Sequence, residues 1–234
     1  MVNLQNFYEE FDSQAVRRTM ADEGYYIFDR RLDDASLPML RSQIDELAEA
    51  EDTEINYAGS EHRVWNAQRR TANFAEFQKL SDWIMPQIYG APYPSYTVLA
   101  IRNRPAPPQA ERMEVRWHLD SFRRQLKLFA FLTDVTEETG PLEIVPRTHR
   151  PAFKLRATVP LGLYRARDIL RWREQKRSWQ RIHDRSINKV TGWGYSPKEM
   201  TVPAGTLLLV DTSALHRAKP CLSGERYAVT VYHR

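Results

Sequence analysis

The pattern of hydrophobic and polar positions in the first fifty residues predicts a helix, a short strand and a second helix. Residues 11–23 have helical patterning and are followed by Gly24, a residue that often ends helices. Residues 25–28 form a short aromatic and β-branched run, which favours a strand. Within residues 35–50, four apolar residues recur at the spacing of one helical face: Leu37, Leu40, Ile44 and Leu47.

Beyond residue 95 the pattern changes to short apolar runs that are separated by glycine and proline. Residues 51–80, around Trp65 and Phe74, show no regular pattern, and we expect them to be irregular. Helices that precede a series of strands indicate a mainly β fold with flanking helices, either an antiparallel sandwich or a barrel. The predicted strands are residues 96–102, 126–133, 142–145, 206–210 and 227–232.

A basic segment at residues 165–185 interrupts the predicted strands. It holds eight Lys and Arg against three acidic residues, a local charge of +5 beside +4 for the whole chain. We predict one domain over residues 1–234 with a basic helical insertion at about residues 160–195, either a lid or a partner surface. The apolar residues of the segment fall on one helical face, opposite the arginines: Ile169, Leu170, Trp172, Trp179 and Ile182.

The composition is that of a globular protein. Of 234 residues, 42% are hydrophobic and 27% are charged, which is enough apolar material for the core of one large domain. The single cysteine, Cys221, excludes an intrachain disulfide and suits a reducing compartment. The sequence has no basic leader and no apolar run of membrane-spanning length, so we expect a cytoplasmic protein without a membrane partner.

The run WHLD at residues 117–120 contains the first candidate chemistry. His118 and Asp120 are two residues apart, so on a strand both side chains project from the same face, roughly 7 Å apart at Cα. His216 follows the predicted strand at residues 206–210, and two histidines with one carboxylate are the ligands typical of non-haem Fe(II) oxygenases. For His118 and Asp120 alone, an ordinary pair at a strand edge is the alternative.

Arg226 stands at the start of the last predicted strand, where Ala228 and Thr230 would share its face. A guanidinium that points inward among small residues is costly unless it meets an anion. The far carboxylate of a keto-acid cosubstrate is one such anion. An internal salt bridge to a core carboxylate is the alternative.

Two further segments accompany the WHLD run. One is LKLFAFLTDVTEETGPLEIVPRTHR at residues 126–150, and the other is GTLLLVDTSALHRAKPCLSGERYAVTVYH at residues 205–233. Together they resemble the phytanoyl-CoA dioxygenase family of Fe(II)/2-oxoglutarate oxygenases, as does the opening helix, strand and helix. The resemblance implies a double-stranded β-helix core of the jelly-roll, cupin-like type. It is weakest at residues 51–95 and 151–195, where substrate-binding elements usually lie.

The resemblance also implies roles for five residues. His118, Asp120 and His216 would bind Fe(II), and Arg226 would bind the C5 carboxylate of 2-oxoglutarate. Lys127 would make a polar contact with this cosubstrate, and a solvated strand lysine is the alternative. The reaction would consume O2 together with 2-oxoglutarate.

Three further points concern single positions. Related halogenases have Gly or Ala in place of Asp120, so the aspartate implies oxygen insertion or another oxidation instead of halogenation. Arg147 stands where the family usually has Gly, and it either alters the turn or presents a charge near the pocket. His149 follows the turn VPRT and is a tempting third ligand, but the resemblance implies a structural or gating role for it. His62, His183 and His233 are expected to be surface or core histidines.

The expected function is hydroxylation of an unactivated C–H bond in a small metabolite of specialised metabolism. The basic segment 165–185 favours an anionic or carrier-bound substrate, with a solvated face or an oligomer contact as the alternative. Two other classes are open: a non-catalytic cupin-like protein that binds a metal or ligand, and a basic adaptor for an acidic partner. Outside residues 165–185 the net charge is −1 (+4 less +5), which disfavours nucleic acid, and a homo-oligomer is an open alternative.

Overall fold

Two antiparallel β-sheets face each other in the computed structural model, which describes residues 1–107, 116–161 and 180–233. In chain order the strands are β1 (Tyr25–Arg31), β2 (Glu54–Asn56), β3 (Glu61–Trp65), β4 (Ser95–Asn103), β5 (His118–Leu119), β6 (Leu126–Phe131), β7 (Leu142–Ile144), β8 (Gln180–Arg181), β9 (Lys198–Glu199), β10 (Thr206–Asp211), β11 (His216–Ala218) and β12 (Arg226–His233). The larger sheet has the order β1-β10-β6-β12-β4-β3-β2, and the smaller has β8-β5-β11-β7-β9. The predicted mainly β fold is confirmed, as two open sheets.

The α-helices of the described residues flank these sheets. A core of buried side chains from α2, α3 and α4 covers one face of the larger sheet. Tyr227, Val229 and Val231 of β12 pack in this core, whereas Ala228 and Thr230 between them face the smaller sheet. None of the helices in the described ranges is long and apolar enough to cross a membrane. The helices are α1 (Gln5–Glu9), α2 (Ser13–Asp22), α3 (Ser36–Ala48), α4 (Ala72–Tyr89), α5 (Pro151–Leu161) and α6 (Asp184–Gly192).

The prediction that residues 51–80 are irregular is wrong. β2 and β3 extend the larger sheet beyond β4, and α4 follows them. The apolar spacing of α4 continues to residue 88, so a window that stops at residue 80 cuts the helix in half. The apolar face of α4 is buried almost completely: Phe74, Phe77, Leu80, Ile84 and Ile88.

The predicted basic insertion at residues 160–195 falls largely on residues 162–179, which lie outside the described residues. For residues 180–181 the predicted helix is wrong, because these residues form β8 and pair with β5. The N–H of Ile182 donates to the carbonyl of Trp117 at 2.8 Å, so this backbone is held as an edge strand. α6 then begins at Asp184 and continues through Gly192. The lid and the single-domain organisation stay predictions.

Arg147 presents its charge to α2 and lies away from the space between the sheets. Its Nη2 lies 2.8 Å from Glu23 Oε1, and its backbone N–H donates to the Glu23 carbonyl at 3.0 Å. Arg150 forms a second ion pair, at 2.8 Å, with Asp22. The φ angle of Arg147 is +71°, in the left-handed region that favours glycine. Arg147 therefore keeps the glycine-like turn and fastens it to the end of α2.

Gly24 is a position where we expect a side chain to be poorly tolerated. Its φ is +84°, and a Cβ there would lie 2.5 Å from Nδ1 of His149. Gly90 also ends a helix, with φ +67°, but a Cβ there would have no atom within 4 Å. Gly90→Ala should cost about 1 kcal/mol of unfolding free energy from the left-handed backbone alone. Gly24→Ala should cost about 1–3 kcal/mol more from overpacking. Urea unfolding of both variants checks this, and equal losses would contradict the clash.

Candidate metal and cosubstrate site

Strand pairing in the smaller sheet brings the two candidate histidines together. His118 on β5 and His216 on β11 are direct partners across the antiparallel pair, and their ring centroids are 4.4 Å apart. Asp120 follows β5, and its N–H donates to the Thr212 carbonyl at 3.0 Å, in the turn that leads to His216. One ligand atom from each of His118, Asp120 and His216 lies within 4.8 Å of the others. The structure therefore gathers all three residues in one cluster.

The hydrogen bonds of the two imidazoles determine which ring nitrogen is available to a metal. Nδ1 of His118 lies 2.8 Å from the Arg116 carbonyl, and Nδ1 of His216 lies 2.9 Å from the Ala214 carbonyl. A carbonyl oxygen only accepts, so each Nδ1 is the protonated donor and each Nε2 has the lone pair. Nε2 of His118 is 3.7 Å from Oδ1 of Asp120, and Nε2 of His216 is 3.8 Å from Oδ2. Both lone pairs thus face the carboxylate.

The ionisation states of the cluster suit a divalent cation. Burial, with the nearby His118, lowers the pKa of His216 to about 3, so its imidazole is neutral at pH 7. Burial opposes the charge of Asp120, but Lys127 and the two histidines hold the pKa of this carboxyl well below its usual range. Metal ligands must be deprotonated, and Asp120 and His216 are. Two imidazole nitrogens and one carboxylate on one side of a site fit Fe(II).

A buried lysine connects the two loops that flank the cluster. Nζ of Lys154 on α5 donates to the Phe122 carbonyl at 2.7 Å, just beyond Asp120. The same amine donates to Oγ of Ser213 at 3.0 Å, in the turn before His216. Lys154 of α5 therefore links the loop after Asp120 to the turn before His216, in addition to the strands that position them.

The cluster opens into a cavity of about 330 Å³ between the two sheets. Arg226, Ala228 and Thr230 of β12 all line it, so these alternate residues share the inward face that the sequence predicted. With its amide in the orientation that satisfies its neighbours, Asn103 accepts from Nη2 of Arg226 and donates to Oε2 of Glu61 at 2.9 Å. The guanidinium is therefore held at the cavity wall, opposite the smaller sheet.

Lys127 lines the same cavity, on β6. Its Nζ lies 2.6 Å from Oδ2 of Asp120 and 4.5 Å from the centre of the Tyr232 ring. Burial opposes the charge of Lys127, but the adjacent Asp120 raises its pKa above the usual range. The structure thus pairs the Lys127 ammonium directly with Asp120, one of the three candidate metal ligands.

The sequence reasoning missed one wall of the cavity. Glu61, Arg63 and Trp65 alternate along β3 and all face inward. Nε of Arg63 lies 2.6 Å from Oε1 of Glu61, and the ring of Trp65 is 5.6 Å from that of Tyr232. The sequence EHRVW could have revealed this strand, because its charged residues recur with a period of two, as they do along one polar face of a strand.

The other histidines in the described residues take no part in the cluster. Nε2 of His149 lies 3.3 Å from the Ala21 carbonyl, at the end of α2. His233 lies between Ser81 and the Tyr93 carbonyl, at 2.6 Å from each. His62 is on β3 but on the face opposite Arg63, and His183 precedes α6.

Solved structures share this fold at low sequence identity. The alpha-ketoglutarate-dependent carbocyclase SnoK from nogalamycin biosynthesis superposes with a TM-score of 0.69 at 19% identity, over 96% of this chain and 84% of SnoK. The epimerase SnoN, in complex with Fe3+, alpha-ketoglutarate and nogalamycin RO, gives 0.70 at 13% identity, over 94% and 82%. HygX from Streptomyces hygroscopicus, with nickel and 2-oxoglutarate bound, gives 0.64 at 13% identity, over 94% and 86%. The class is that of the jelly-roll, cupin-like oxygenase fold.

The chain belongs to the phytanoyl-CoA dioxygenase (PhyH) family, whose model matches residues 20–228. The family resemblance predicted from the sequence is confirmed. As a family member the chain is an Fe(II)- and 2-oxoglutarate-dependent oxygenase, which confirms the predicted cofactors Fe(II), 2-oxoglutarate and O2. No curated protein matches the chain by sequence.

Proposed function

We propose that this oxygenase hydroxylates an unactivated C–H bond of a small anionic metabolite. His118, Asp120 and His216 would hold Fe(II), and Arg226 would bind the far carboxylate of 2-oxoglutarate. The observation that carries the proposal is the inward orientation of both Nε2 lone pairs toward the Asp120 carboxylate. Fe(II), 2-oxoglutarate and O2 together supply the oxidising power for C–H cleavage, with succinate and CO2 as coproducts.

The residues of the chain orient the reactants and exclude water. The carbonyls of Arg116 and Ala214 keep the two imidazoles in one tautomer, and Asp120 stays ionised beside them. Arg226 at the cavity wall would fix one end of the cosubstrate through charge-assisted hydrogen bonds. Aromatic rings line the other parts of the cavity wall, where they would limit the access of bulk water to the reactants: Trp65, Tyr96, Phe129, Phe131 and Tyr232.

The charge of the cavity favours an anionic substrate over a cationic one. Its wall has three cationic side chains, Arg63, Lys127 and Arg226, against two carboxylates, Glu61 and Asp120. Fe(II) and 2-oxoglutarate have opposite charges of equal size, so together they leave this excess of one positive charge unchanged. A substrate carboxylate or phosphate would neutralise it.

Oxygen-dependent turnover of 2-oxoglutarate tests the reaction class. The Fe(II)-loaded protein should form succinate slowly without substrate, and faster with a suitable one. We would compare aromatic carboxylates with their primary amides, and expect only the carboxylates to stimulate turnover and gain one oxygen atom from O2. Absence of succinate would support a non-catalytic binding protein. Equal stimulation by the amides would contradict the proposed preference for an anionic substrate. A product without added oxygen would show that the reaction is an oxidation other than hydroxylation.

A further inference from the structure

Lys127 occupies a position that its role as a cosubstrate contact does not explain. Its side chain is 12% exposed and that of Asp120 is 13% exposed, so the ion pair at 2.6 Å is largely shielded from water. Among the residues that the structure describes, the Lys127 amine is the one cationic group that forms an ion pair with the Asp120 carboxylate within 3 Å. The carboxylate therefore depends on this lysine for its orientation.

The two oxygens of Asp120 have different surroundings. Oδ1 faces Nε2 of His118 at 3.7 Å, whereas Oδ2 faces both Nε2 of His216 at 3.8 Å and the Lys127 amine. A carboxylate on a short side chain can rotate about two bonds, and it would lose this alignment without a partner. The Lys127 amine also lies over the Tyr232 ring, 4.5 Å from its centre, and this cation–π contact helps to hold the lysine in place.

We propose that Lys127 is a positioning residue that holds the Asp120 carboxylate in the orientation needed by the metal. This inference rests on the proposed function of the cluster and assigns Lys127 a different role from the cosubstrate contact predicted from the sequence. Residues that hydrogen-bond to metal ligands orient those ligands, and their loss typically weakens metal binding or activity by about 10–100-fold. In this role Lys127 would act on the metal through Asp120.

The Lys127 ammonium has two opposite effects on metal binding, and a metal titration measures which of them is larger. A cation beside the ligand repels Fe(II), whereas a fixed carboxylate spares the metal the cost of ordering it. The Tyr232 face and the Asp120 anion already offset the ammonium charge. We therefore expect the orientation to dominate, so removal of the lysine weakens metal binding.

Titration with Co(II), whose visible bands report the ligand set, tests the proposal without turnover. Lys127→Met should weaken Co(II) binding by about 10-fold or more and shift the bands, because Asp120 loses its alignment. Lys127→Arg keeps a cationic donor and should restore most of the affinity. Lys198→Met is the matched control, since Lys198 also lies over a tyrosine ring, that of Tyr25, but outside the cavity.

Calorimetric binding of 2-oxoglutarate to the Co(II)-loaded variants separates the two roles of Lys127. Unchanged 2-oxoglutarate affinity with weakened metal binding supports positioning. Unchanged or tighter Co(II) binding in Lys127→Met overturns it, and weaker 2-oxoglutarate binding beside normal Co(II) binding makes Lys127 a cosubstrate contact instead. If the unmodified protein binds no Co(II), or His216→Ala binds it equally well, the proposed metal cluster fails and the positioning role fails with it.

Discussion

His216→Ala should abolish Co(II) or Fe(II) binding at micromolar metal and lower succinate formation by at least about 1,000-fold. The loss should exceed the 10–100-fold typical of an outer-shell partner, because a ligand itself is removed. In the described residues, no other His, Cys, Asp or Glu joins the cluster to replace it. His118 on β5 and Asp120 just after it would remain as two ligands, too few to hold the ion against water.

His149→Ala is the control for this result. His149 follows the turn that the sequence made tempting as a third ligand, but its ring lies against Gly24 and the Ala21 carbonyl. Its removal should leave metal affinity and succinate formation at the level of the unmodified protein. Metal titration followed by succinate measurement on both variants decides the matter. Loss of metal binding in His149→Ala together with retention in His216→Ala would refute the ligand assignment.

Much of the cluster could be expected from the sequence because it depends on short-range geometry. Residues two apart in extended backbone share a face, and this spacing brings His118 and Asp120 together although Asp120 lies just beyond β5. The alternation of Arg226, Ala228 and Thr230 follows from the same period, and the structure shows all three on one wall. The pairing of His216 with His118 has no such local signal. The sequence offered His216 as the third ligand from its residue type and its place after a predicted strand, and the family resemblance supported that choice.

The wall formed by β3 was missed because charged residues that face a cavity have the sequence signature of a solvent-exposed strand face. Glu61 and Arg63 neutralise each other at 2.6 Å, and this compensation depends on neighbours that the pattern does not reveal. The register of β3 against β4 joins residues about 40 positions apart, such as Arg63 and Ile101. Pairing over that distance depends on the packing of α4 beneath the sheet, which a local pattern does not record.

Arg226→Met should raise the KM for 2-oxoglutarate by about 100-fold with a smaller change in kcat. Hydrogen bonds to a charged group contribute about 1.5–3 kcal/mol, and 2.8 kcal/mol corresponds to about a factor of 100 in binding. The effect falls mainly on KM because the far carboxylate is bound alike before and during the reaction. Arg226→Lys keeps the charge without the planar fork and should give an intermediate KM.

Arg217→Met separates the binding role of Arg226 from a general effect of removing an arginine near the cluster. Arg217 directly follows His216 on β11, but it pairs with Glu143 at 2.6 Å and lies over the Trp117 ring, outside the cavity. Steady-state KM for 2-oxoglutarate and its calorimetric affinity for the Co(II)-loaded protein should change in Arg226→Met alone. A similar rise in both variants would indicate general loosening of the two sheets around the cluster. An unchanged KM in Arg226→Met would mean that another group binds the cosubstrate, and that Asn103 and Glu61 hold Arg226 as a structural element of the wall.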